Sequence, residues 1–431
     1  MNHLSMTRTK EDKMRTSKLS RPRQVMPVLM MLLASLSLGL AACGGTAWQD
    51  PRQITENEHQ VVAASNDFGL DFFREVVAQS DGGNVFVSPL SVSMALGMTL
   101  NGARGSTEQG MLAALRLEGL DRQQINQSYL DLIELLTTMD PQVTLEIANS
   151  IWYRQGLEVL QEFIDTNVTF FGAVVQALDF SDGGAADIIN AWVAEKTHDL
   201  ITEIVEKPID PMLVMFLINA VYFKGDWSSQ FDKSDTHADT FHAPQGDETV
   251  QMMVQKSDFR IVETTDLSAI ELPYGHGLFR MTILLPHPDV NVDDVVASLT
   301  PEQWEQLQAQ FAGAGEREFT VYLPRFELKW ETVLNDVLSA LGMAEAFDPN
   351  RADCSGIVAA GGLFISRVRH KTYVRVDEEG TEAAAVTSVE VGATSAQPDI
   401  FRVDRPFVFV IHDNHSGALL FAGKIVSPPS F

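Results

Sequence analysis

Apolar and polar residues follow several distinct rhythms along this chain, and each rhythm predicts an element. Val61, Phe68, Phe72, Phe73, Val76 and Val77 recur at helical spacing, and Asp81-Gly82-Gly83 ends the run. Leu90 to Leu100 is apolar or small nearly all round, which predicts a helix buried at the centre of the domain. Ser88 suits its N-cap, and Pro89 suits its first turn. Ile189, Trp192, Val193, Leu200, Ile201, Ile204 and Val205 share one face of an amphipathic surface helix predicted over Asn190 to Val205. TLEIANSIWYR (144–154) reads as a buried strand. MLVMFLINAVYF, Met212 to Phe223, reads as a strand covered on both faces. Further strand-like runs lie at 278–285 and 319–329. Residues 366–376 alternate without a break. Ser366, Val368, His370, Thr372, Val374 and Val376 take one face, and Arg367, Arg369, Lys371, Tyr373, Arg375 and Asp377 take the other. Phe407 to Ile411 and Leu419 to Val426, joined by DNHSG, predict a buried hairpin. Helices come first with strands around them, which defines an α+β class with at least one large, mostly antiparallel sheet.

One stretch fits no single element. EEGTEAAAVTSVEV runs from Glu378 to Val391. By parity, Thr381, Ala383, Ala385, Thr387, Val389 and Val391 are small or β-branched and uncharged, whereas Gly380, Glu382, Ala384, Val386, Ser388 and Glu390 include both acids. That is a period of two, with one face fit for an interior and one tolerant of water. Yet it carries Gly and several Ala, and it runs into GATSAQPD with Pro398 as a breaker. It describes a strand that can be a loop, or a loop that can become a strand. The plainer reading is an edge strand followed by a turn.

Composition narrows the picture. A chain of 431 residues, 45% hydrophobic, can bury a sizeable core. The formal charge is −27, and it is −32 without residues 1–42, which repels nucleic acid. Residues 1–24 carry seven basic side chains, an apolar run follows from Val25 to Ala42, and Cys43-Gly44-Gly45 comes next. These are the marks of a secretory signal. Leu40-Ala41-Ala42-Cys43 resembles the lipobox of bacterial lipoproteins, which implies a signal peptide over 1–42 and an acylated Cys43. The expected location is a bacterial membrane, held by lipid and facing periplasm or exterior. The polar residues 43–60 read as a tether, and 61–431 as one domain. The other cysteine, Cys354, is then expected to be a free, partly buried thiol.

Several segments together resemble the serpin family: NVFVSPLSVSMAL, NGARGSTEQ, INAWVAEKT, INAVYFKGDW, ELPY, LPRFELKWETVLNDVLSALGM, HKTYVRVDEEGTEAAAVTSV and RPFVFVIHDNHSGALLFAGKIVSP. They stand in the family's order across 61–429. The resemblance implies three sheets, about nine helices and an exposed reactive loop over about 380–405. It also implies inhibition of serine proteases by suicide cleavage: the protease's serine attacks the loop, an acyl-enzyme forms, and the loop enters the main sheet before water releases the enzyme. The hinge of that loop carries over to Glu378, Gly380, Thr381, Glu382, Ala383, Ala384 and Ala385. The gate through which it enters carries over to Ser88, Ser91, Asn219 and His370, for which a mutual hydrogen-bond network is expected, and Trp227 matches the tryptophan near the entry point. The cleaved bond falls at Thr394-Ser395 when counted from Gly380 and at Ser395-Ala396 when counted from Pro406, with Ala393 a further alternative. All are small and suit elastase-like or subtilisin-like enzymes.

A non-inhibitory binding protein of the same shape is the alternative. Catalysis is not expected, because the chain has no Gly-x-Ser-x-Gly, Ser-x-x-Lys or His-Glu-x-x-His motif and no phosphate-binding loop. No metal or cofactor is implied. Residues 104–135 hold no basic cluster, so no heparin-type activator is expected, and a monomer is.

Overall fold

Helix-forming residues lead the chain, as the spacing predicts, but the first helix starts earlier than the apolar run. Thr55 caps it by accepting from the Glu58 amide, while the Glu58 carboxylate reaches back to the Thr55 N–H. Glu58 is itself buried and paired with Arg52. Residues 52–60, read as part of a tether, thus belong to the folded domain, and the helix begins at Glu56. The computed structural model describes residues 50–381 and 399–431.

In chain order the elements are α1 (Glu56–Gln79), β1 (Val85–Val87), α2 (Pro89–Leu100), α3 (Gly105–Ala114), α4 (Arg122–Thr138), β2 (Val143–Arg154), α5 (Gln161–Phe171), β3 (Val174–Leu178), α6 (Ala185–Lys196), β4 (Met215–Asp226), β5 (His237–Ala243), β6 (Gly246–Glu263), β7 (Leu267–Tyr274) and β8 (Phe279–Pro286). There follow α7 (Val292–Ser298), α8 (Pro301–Gly313), β9 (Arg317–Pro324), β10 (Phe326–Val333), α9 (Asn335–Leu338), β11 (Arg369–Val376), β12 (Gly380–Thr381), β13 (Asp399–Arg402), β14 (Phe407–Asp413) and β15 (Leu419–Ile425).

Among the described residues, six strands form one sheet in the order β10-β11-β12-β4-β2-β3. The other nine are continuous through the long β6, whose first part pairs with β5 and β9 and whose last residues pair with β7. The expected three sheets are thus one separate sheet and two that share a strand. Nearly all pairings are antiparallel. The α2 helix lies at the centre, with only Ala95 short of full burial, as its all-round apolar surface requires.

Three elements differ from the pattern reading. The helix predicted over Asn190 to Val205 ends at Lys196. His198 and Asp199 turn the chain in the left-handed region, at φ 49° and 64°. Ile201, Ile204 and Val205 still pack on the α6 cluster, because the Asn190 amide binds the Ile204 and Val205 N–H groups and the Val205 carbonyl. The run at 319–329 is two strands in different sheets, parted at Pro324-Arg325, since proline cannot donate to a ladder. The strand expected over Met212 to Phe223 runs Met215–Asp226 and is only half-buried along much of its length. The reason for that incomplete cover is that, among the described residues, β4 has a neighbour on its β11 side only at Gly225 and Asp226.

Candidate functional site

Neighbouring strands of a sheet normally pair along their whole length. Here β4 and β11 do not. They are bridged only by β12, where Thr381 pairs with Val376 on one side and with Gly225 on the other. Below that point no ladder joins β4 to β11 among the described residues. A cavity of about 290 Å³ opens between Met215–Asn219 and Arg369–Lys371, and smaller hollows continue upward to Thr381. The α2 residues Ser91, Val92 and Ala95 line one side of this slot. Thr197, Leu200, Ile201 and Ile204, from the irregular segment after α6, line the other.

The upper end is fastened by the turn that delivers β12. Trp227 donates from Nε1 to the Asp377 carbonyl at 3.0 Å and from its amide to Glu379 O at 2.8 Å. Its indole stacks on Tyr274 at 4.4 Å between centroids. The Tyr274 and Thr381 hydroxyls lie 2.7 Å apart, and burial raises the Tyr274 pKa. Glu378 accepts from Thr236 Oγ1 at 2.7 Å and faces Arg325 at 3.7 Å, while Glu379 pairs with Lys233. Gly380 is required by close approach, since a Cβ there would stand 2.1 Å from the Gly225 carbonyl oxygen. Burial raises the pKa of the neighbouring Asp226, and the charges of Glu379 and Asp377 add to that effect.

The gate residues lie lower in the slot. The Ser88 N–H donates to His370 Nε2 at 3.0 Å, and Ser88 Oγ donates to the Leu420 carbonyl. The Ser91 N–H donates to Ser88 Oγ, and Ser91 Oγ donates to the Asn219 carbonyl at 3.4 Å. The expected mutual network is therefore routed through backbone groups. Asn219 and His370 stand on opposite walls, and no hydrogen bond joins them. Asn219 donates to Asn149 on β2, and its buried Oδ1 has no partner among the described residues. His370 packs edge-on to Phe72 and Trp330, and burial lowers its pKa to about 4, so it is neutral and can accept.

Trp227, read as the tryptophan near the entry point, lies beside the hinge turn at the top of the slot. The structure also brings in Tyr274, Asp377, Glu379, Lys233, Thr236 and Arg325, which the pattern did not single out. The acidic run Asp377-Glu378-Glu379 beside Gly380 was their one visible signal. Glu382, Ala383, Ala384, Ala385, Ala393, Thr394, Ser395, Ala396 and Cys43 lie outside the described residues. Cys354 is a buried free thiol, pushed up to about 11 by that burial.

Among the described residues, then, the six-stranded sheet is bridged between β4 and β11 by Gly380–Thr381 alone. Residues 63–428 match the family Serpin (serine protease inhibitor), and the chain belongs to it. It is 35% identical to mouse (Mus musculus) Serpin B11 over 387 residues, covering 85% of this chain and 99% of that protein. It is 36% identical to an uncharacterised serpin-like protein of Thermococcus kodakarensis, covering 86% of each. The native state of tengpin, a thermophilic serpin, superposes with a TM-score of 0.77 at 31% identity, over 88% of this chain and 96% of that one. The family is one of protease inhibitors and not of enzymes.

Proposed function

We propose that this chain inhibits serine proteases by offering residues within 382–398 as bait and then drawing the severed strand into the slot between β4 and β11. One observation carries the reading: Gly380–Thr381 is already paired on both edges at the top of that slot, while among the described residues no ladder joins β4 to β11 beneath it. Strand addition of this kind satisfies backbone groups on both walls. Extending β12 down to about Ala393 adds roughly a dozen backbone bonds at about 1 kcal/mol each. The total, on the order of 10 kcal/mol, matches the stability of an ordinary domain. The uncleaved form is then held by a barrier. Small residues at Thr394, Ser395 and the alternatives Ala393 and Ala396 suit elastase-like or subtilisin-like targets.

Mixing the protein with pancreatic elastase or subtilisin should yield a complex that survives SDS. Cleavage by every such enzyme with full turnover and no complex would leave only the binding-protein alternative. We further propose that Cys43 is acylated and holds the inhibitor on a bacterial membrane. Cys43→Ser should then move the protein from the membrane fraction to the soluble fraction, and an unchanged distribution would remove the anchor.

A further inference from the structure

Cations line the slot on the face turned away from α2, and not all of them are balanced. Arg375 has Asp377 at 3.3 Å, and Lys371 has Glu331 at 2.5 Å. Arg367 and Arg369 share a single acid, Glu206, at 3.6 and 2.5 Å. Lys224, on β4, makes no ion pair among the described residues, and its charge reaches Asp226 only at longer range. Uncompensated positive charge thus stands at both ends of the slot, at Lys224 above and at Arg367–Arg369 below. The register seeded by Thr381 addresses both ends. Thr381 lies opposite Val376 on β11 and Gly225 on β4. Carried on in that antiparallel frame, Glu382 falls opposite Arg375 and Lys224, and Glu390 falls opposite Arg367. Lys371, already paired, falls opposite the neutral Val386.

Directly opposed residues of a sheet share a face, and opposite charges there attract. We infer that Glu382 and Glu390 are register pins for the entering strand, and that Lys224, Arg375 and Arg367 are the positioning residues that receive them. The alternatives are each penalised. A slip of one residue turns both glutamates toward α2, where a charge loses its water. A slip of two keeps the face and loses the match. In the shallower direction Glu382 meets Asp377 and Asp226, which repel it, and in the deeper direction it meets Tyr373 and Tyr222. The strand lengthens from Thr381 without disturbing the hairpin in which the Asp377 N–H donates to the Gly380 carbonyl. The pins rest on the insertion reading above and add to it the frame in which the strand settles.

The test uses the full chain, intact and nicked within 382–398 by elastase or subtilisin, and reads by calorimetry the rise in melting temperature that nicking brings. Taking each chain against its own intact form removes effects common to both states. Glu382→Lys combined with Glu390→Lys should reduce that rise by roughly 2–4 °C, the size expected when cross-strand attractions become repulsions in a domain this large. The loss should shrink in about 1 M salt. Lys224→Glu combined with Arg367→Glu, in a chain that keeps both glutamates, should reduce the rise by a similar amount. Joining all four substitutions should recover most of it, because the signs match again. The SDS-stable complex formed per cleavage should fall several-fold in the two-lysine chain and return in the four-substitution chain. A two-lysine chain that gains as much on nicking as the wild type would overturn the pins, and so would a four-substitution chain that recovers nothing. If nicking does not raise the melting temperature of the wild type, the insertion reading fails and the pins fall with it. If nicking raises it equally in every variant, the pins alone fail.

Discussion

His370 shows how much one side chain carries. It is fully enclosed between Phe72, Trp330 and the start of α2, and its Nε2 accepts the Ser88 amide. His412 is also buried, with Thr282 Oγ1 2.9 Å from its Nε2. Burial pushes both imidazoles down to about 4. Between about pH 6.5 and 4 the unfolded chain takes up a proton at each while the folded protein does not. Stability from these groups is therefore present above pH 6.5 and lost as acid is added, by up to about 3 kcal/mol for each histidine. Urea unfolding from pH 7.5 to 4.5 should show the decline. His370→Gln, which keeps an acceptor for Ser88, should flatten part of it, and an unchanged slope would show that this imidazole does not carry it. At this scale the sequence was informative about direction and poor on partners. Strict alternation over 366–376 placed His370 inward, as found. It could not show that Asn219 would stand across a gap with Oδ1 unpaired, since that depends on where two strands part.

Among the elements, β12 has an importance out of proportion to its two residues. Thr381 is buried, its hydroxyl meets Tyr274, and its backbone pairs on both sides. A charged side chain there would have to be stripped of water in an apolar corner, at several kcal/mol. Thr381→Arg should expel β12. The protease would still cut the chain, but the SDS-stable complex should fall at least tenfold. A complex yield equal to the wild type would show that entry does not begin at this residue. The α2 helix and the β14–β15 hairpin were legible because their apolar patterns leave one solution. The end of α6 and the break at Pro324-Arg325 were less so. In both, apolar residues continue at a plausible spacing while the backbone turns. In the first case the turn comes from left-handed residues and the Asn190 amide, and in the second from a strand that changes sheets.

For the molecule as a whole, motifs spread over most of the chain made the family readable, and the architecture follows it. The state of the sheet was not readable. Local pattern favours Gly380–Thr381 as strand under any arrangement, and only the assembled sheet reveals that, among the described residues, no ladder joins β4 to β11 beneath it. If insertion releases on the order of 10 kcal/mol, calorimetry should show the chain nicked by limited proteolysis within 382–398 melting roughly 20 °C above the intact one. Entry, however, has an obstacle of its own. The segment after α6 lies along the slot, and a single carboxamide, that of Asn190, ties three of its backbone groups. On the insertion reading proposed above, an arriving strand would have to lift that flap, and this one asparagine would act as a timer in the race against hydrolysis of the trapped ester. Hydrogen exchange at the Ile204 and Val205 amides would read the timer directly, and exchange there as fast as in an open turn would mean that the flap never delays anything.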